Sequence, residues 1–167
     1  FAGEEVAAAL EALPPLSGPP LEVAWAPGLR NVRGKLRLGG ACGVEVHAAS
    51  FIRERRMVFD EALRSDRLEL RRILVHELFH FAWVRLPNAE RDAWKRHLRR
   101  EVDARARGEL GWSAESRKSA LARGGSVTSP RAWSEYCCES FCDTAPWMYA
   151  AAGEHAEFTL AAGRRAA

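Results

Sequence analysis

The sequence predicts an α+β chain: a small mixed or antiparallel sheet packed on a helix, then a helical C-terminal half. Three observations carry this. Short segments before residue 60 alternate apolar and polar residues, the period of a half-buried strand. After Asp66 the apolar spacing becomes that of a helix. The chain of 167 residues, 47% hydrophobic and 28% charged, suits one domain of ordinary globular composition. The expected organisation is a single domain, 1–167, with a helix and the sheet in 1–60 and helices in 61–167.

The elements follow in order. Glu4 to Leu13 is Ala-rich and periodic, a short helix ended by Pro14, Pro15, Gly18, Pro19 and Pro20. Leu21–Ala26, Lys35–Leu38 and Val44–His47 alternate as strands, with turn signals at Pro27-Gly28 and Gly39-Gly40. Arg56–Asp60 is a fourth short strand. Asp66, with Glu69 three positions on, has the pattern of a capping box and opens a helix. Leu70, Ile73, Leu74, Leu78 and Phe81 then recur at helical spacing until Pro87. Asn88 is expected to cap a second helix reaching about Ala106. A short helix, Ala114–Arg123, lies in a Gly- and Ser-rich stretch. A last helix runs from Arg131 to about Ala152, with Pro146 expected to kink it or end it early.

Charge and cysteine usage set bounds. The net charge is +3, from 25 Lys and Arg against 22 Asp and Glu. That balance does not by itself call for nucleic acid. The densest basic stretch, Arg85–Arg107, holds eight Arg or Lys and four Asp or Glu. No apolar run approaches the ~20 residues of a membrane-spanning helix, so no membrane partner is expected. Cys137, Cys138 and Cys142 fall within six positions, with Cys42 distant. A disulfide framework spreads its cysteines more evenly, so a reducing, cytoplasmic setting is expected.

One motif carries chemistry. His76-Glu77-Leu78-Phe79-His80 is an H-E-x-x-H sequence in the middle of the best-defined helical segment. Residues four apart share a helix face, so both imidazoles can reach one metal ion. Glu77, one step round, can act as general base on a metal-activated water without ligating the metal. A catalytic zinc takes three protein ligands and keeps a position open. A third His six residues beyond the second is ruled out, because Leu86 stands there. Glu139-Ser140-Phe141-Cys142-Asp143 offers a ligand, Glu139, with Asp143 four residues on to accept the second N–H of a ligand His. Glu135 lies on the same acidic stripe and is an alternative third ligand.

The two motifs together resemble the gluzincin branch of zinc metallopeptidases, the thermolysin-like type, over about Met57 to Tyr149. The chain is too short for the second large domain of such enzymes and is similar to small bacterial metallopeptidases. The resemblance implies a zincin-like fold, one zinc ion per chain, hydrolysis of peptide bonds in a peptide or protein substrate, and an upstream sheet whose edge strand holds that substrate. Two other readings stand beside it. One is a DNA-associated peptidase of the SprT type, using the basic helix from Arg91 to Arg107, although that type uses a third His. The other is a non-catalytic zinc-binding scaffold, for which Glu77 would be superfluous.

Further residues have two readings each. Tyr136, Tyr149 or His155 could donate to a developing oxyanion, or pack in the core or the tail. Cys138 and Cys142 could offer thiolates, or fill core space as small apolar residues. Of the two candidate edge strands, Val44–Ser50 is favoured over Arg56–Asp60, because Gly39, Gly40 and Gly43 leave the backbone accessible and Ala48, Ala49 and Ser50 are small enough to pass a peptide.

Overall fold

The computed structural model describes residues 6, 7, 10, 11, 13–15, 17–33, 35–123, 129–150 and 153–165. Of the expected first helix, Val6, Ala7 and Leu10 are helical, while positions 4, 5, 8, 9 and 12 lie outside the described residues. The chain divides into two compact units, residues 1–81 and 82–167.

Among the described residues the first unit holds six strands: β1 (Glu22–Ala26), β2 (Leu29–Val32), β3 (Lys35–Leu38), β4 (Val44–Glu45), β5 (Ala48–Phe51) and β6 (Arg56–Asp60). They form two three-stranded sheets, β1-β6-β5 and β3-β2-β4, where the sequence suggested one. The first sheet is mixed, with β1 parallel and β5 antiparallel to β6. The second is antiparallel. The stretch read as one strand, Val44–His47, is divided between them. Val46 N–H donates to Leu29 O on β2 at 3.0 Å, and the very next residue, His47, accepts from Asp60 N–H of β6 at 2.8 Å. Strand β2 carries no local signal in the sequence, because Leu29-Arg30-Asn31-Val32 does not alternate.

Asp60 ties the two sheets together. Its Oδ2 accepts from Leu29 N–H at 2.8 Å, and its Oδ1 caps the 3-10 turn Glu61–Ser65 by accepting from Ala62 N–H at 2.9 Å. Helix α1 (Arg67–Arg85) follows. Asp66 caps it as expected, accepting from Glu69 N–H at 3.0 Å. Met57 and Phe59 of β6 pack with Leu63 and with Leu70, Leu74 and Phe81 of α1 to make this unit's core. Those three helix positions fall within about 40° of one another at 100° per residue, so one stripe of α1 faces the sheet.

The second unit contains α2 (Asn88–Asp103), α3 (Trp112–Arg123), α4 (Pro130–Tyr149) and the four-residue α5 (Ala162–Arg165). Helix α2 begins at Asn88, with Pro87 in the cap position and no capping side chain, so Asn88 is not the cap. Its carboxamide accepts instead from Arg91. Ser129 Oγ caps α4 by accepting from Ala132 N–H at 3.3 Å, with Pro130 in the first turn. Pro146 does not end α4, which continues to Tyr149. So near the end of a helix, a proline removes only one amide from the ladder.

Trp83, Leu98, Ala114, Leu121, Tyr136 and Cys137 form the core of this unit. A second cluster, Leu110, Phe158 and Leu160, pins the tail. There Gly108 is at φ +82°, and a Cβ on it would meet Thr159 O at 2.2 Å, so only glycine fits. No helix among the described residues is long and apolar enough to cross a membrane.

Candidate metal centre

The H-E-x-x-H residues lie in the buried middle of α1. His76 and Glu77 are buried and His80 half-buried. At 100° per residue the two imidazoles lie about 40° apart and roughly 100–140° from the stripe that faces the sheet, with Glu77 between the two faces. Glu77 O accepts from Ser50 Oγ at 3.0 Å, which fastens β5 to the helix beside the motif.

The imidazoles converge. His76 Nε2 and His80 Nε2 are 3.2 Å apart, with the rings edge to face. Two nitrogens bound to one zinc at about 2.0–2.1 Å on a tetrahedron would stand about 3.3–3.4 Å apart. The donor pair therefore fits a single tetrahedral ion without a change of rotamer. Glu77 directly follows the first imidazole and is 8% exposed.

The second motif lies on α4. Glu139 is half-buried and forms an ion pair with Arg117 at 3.0 Å. Glu135 is exposed and paired with Arg131 at 2.8 Å. Asp143 is buried, and its Oδ2 accepts from Ala114 N–H, at the start of α3, at 2.8 Å. Cys138 and Cys142 flank this acidic stripe one turn apart. The thiol of Cys142, fully buried, is pushed up by that burial and by hydrogen bonding to Cys138.

Compared with protein-family models, curated proteins and solved structures, the chain matches none. Its own geometry must carry the assignment.

The oxyanion candidates are placed differently. Tyr136 has no exposed surface, and its hydroxyl donates to Glu109 Oε1 at 2.6 Å. Burial and the Glu109 carboxylate push the pKa of that hydroxyl up. His155 is half-buried in the tail beside Phe158, and its Nδ1 accepts from Glu157 N–H at 3.2 Å.

Glu109 was not singled out from sequence. It is 5% exposed and also accepts from Lys118 Nζ at 2.7 Å and Ser140 Oγ at 3.3 Å. Burial raises its pKa, and the Lys118 and Tyr136 contacts pull it back only in part. The one available signal was Tyr136 and Ser140, two hydroxyls a turn apart on a buried helix face.

Proposed function

We propose that the chain is a zinc-dependent peptidase. His76, His80 and Glu139 hold one zinc ion, Glu77 is the general base, and Asp143 orients a ligand imidazole. The observation that carries this is the 3.2 Å convergence of the two Nε2 atoms beside a buried Glu77. Glu139 is favoured over Glu135 because it is the less exposed, and because Glu135 is paired with Arg131 one turn away on the same helix. Helix α1 is continuous to Arg85, and Trp83 in its last turn packs on Phe141 of α4 at 5.2 Å.

When bound, zinc would supply Lewis acidity toward a carbonyl oxygen and lower the pKa of a water to about 7. The protein's own share is positional and protonic. Glu77 takes the proton of the attacking water on its carboxylate and returns it to the departing amine nitrogen.

The substrate is proposed to extend along β5. Among the described residues, β5 pairs only with β6 and so forms an edge. The bond from Asp60 N–H to His47 O fixes the ladder: His47, Ala49 and Phe51 face β6. Ala48 and Ser50 turn their N–H and C=O toward the edge, where an added strand could pair with them. The clustered cysteines keep the proposed setting cytoplasmic.

Metal analysis of the wild type and of His76→Ala and His80→Ala tests the reading. One zinc per chain is expected in the wild type and a large loss in each variant. Full occupancy in both variants would sink it, and would leave the close nitrogens as a plain hydrogen-bonded pair. Glu77→Gln is expected to keep the metal and to lose about 10²–10⁴-fold in hydrolysis of a labelled peptide library. Loss of metal in that variant would overturn the role given to Glu77.

A further inference from the structure

Helix α3 has no cap of its own. Its N-cap position is Gly111, whose carbonyl accepts from Glu115 N–H at 3.2 Å. An N-cap side chain ordinarily accepts from the amide two or three positions on. Gly111 has no side chain, and the amide three positions on, Ala114, donates instead to Asp143 Oδ2, from 29 residues away. The first helical amide, Trp112 N–H, donates to Glu157 Oε2 at 3.1 Å. Carboxylates from two other segments thus sit at the positive end of this helix.

The backbone at Gly111 does not demand glycine, since its φ is outside the left-handed region. Space does. A Cβ at Gly111 would fall 2.2 Å from Asp143 Cγ and 2.5 Å from each carboxylate oxygen. Asp143 is 3% exposed, so it has little room to retreat. The whole carboxylate, not one oxygen, lies against the bare Cα.

We infer that Gly111 is a positioning residue. Its missing side chain and the Ala114 N–H together fix the plane of the Asp143 carboxylate, and through it the imidazole that Asp143 orients. The second step rests on the zinc reading proposed above.

A double-mutant cycle tests it. Gly111→Ala, Asp143→Ala and the double variant are compared by thermal midpoint without metal and by zinc dissociation constant from chelator competition. Gly111→Ala is expected to weaken zinc binding about 10- to 100-fold, the range found when an outer partner of a metal ligand is lost. Its metal-free midpoint should also fall. The double variant should be no worse than Asp143→Ala by either measure, because the methyl group then has room. Additive losses would overturn the inference. If Gly111→Ala does not fold, the double variant decides: recovery of the fold supports the inference and continued failure overturns it. Gly111→Ser is ordinarily neutral or favourable at an N-cap, but here it too should weaken zinc, and an unchanged affinity would count against the inference. A wild type that takes up no zinc is a separate failure, read before any variant is made, and it overturns the zinc reading together with the second step.

Discussion

Glu109 shows what a buried charge needs. Its carboxylate takes hydrogen bonds from Lys118, Tyr136 and Ser140, so the pair it forms with Lys118 is answered on both oxygens. Removing one partner of such a pair leaves an uncompensated charge, at about 3–5 kcal/mol, whereas removing both costs far less. Lys118→Met is therefore expected to destabilise the protein more than the double change Glu109→Gln with Lys118→Met, as measured by urea unfolding. An equal loss in both would show that Lys118 acts through packing alone. Glu109 was invisible in the sequence because a single Glu after Gly108 has no periodicity to mark it. His76, Glu77 and His80 were legible for the opposite reason: their spacing encodes one helix face. Gly111 has no such mark, because its role depends on an aspartate on another helix.

Elements were legible where apolar and polar residues recur with a regular period. Arg56–Asp60, Lys35–Leu38, the helix after Asp66 and the helix after Ser129 all appear close to their expected bounds. What failed was pairing. Alternation reports that a strand exists but not which sheet it joins, so the crossing between Val46 and His47 had no local signature. The edge position of β5 yields a contrast between neighbouring residues. Ala48 turns its N–H outward and Ala49 turns its N–H to β6, so proline should be tolerated at the first and not at the second. Ala48→Pro is expected to retain near-wild-type thermal stability and zinc content while losing most peptide turnover. Ala49→Pro should lose a ladder bond and unfold at lower temperature. Normal turnover in Ala48→Pro would move the substrate away from β5.

At the scale of the whole molecule, two buried carboxylates pull the pH dependence of stability in opposite directions. Burial alone would raise the pKa of Asp60, but the amides of Ala62, Leu29 and Gly28 hold it below the ordinary value, helped by His47. Its contribution is complete above the unfolded pKa of about 3.9 and is lost as pH falls through the lower folded value. Glu109 is raised, so its contribution is complete below the unfolded pKa and is lost as pH rises through the folded one. Asp60→Asn, which sets an amide N–H against a backbone donor, is expected to cost about 1–3 kcal/mol near neutrality. The gap between its thermal midpoint and that of the wild type should narrow below about pH 4. A gap that stays constant into acid would mean the sheets are joined by shape and not by the Asp60 charge.

The borrowed cap of α3 also sets a clock. A helix of 12 residues is marginal in water even with a good cap, and this one receives its Ala114 cap from a residue 29 positions later. During synthesis at about 5–20 residues per second, those positions take roughly 1.5–6 s to add. For that interval the nascent α3 has neither Asp143 nor the core of α4 to hold it. Its apolar residues, Ala114 and Leu121 among them, are then open to proteases and chaperones in a way the finished protein never is.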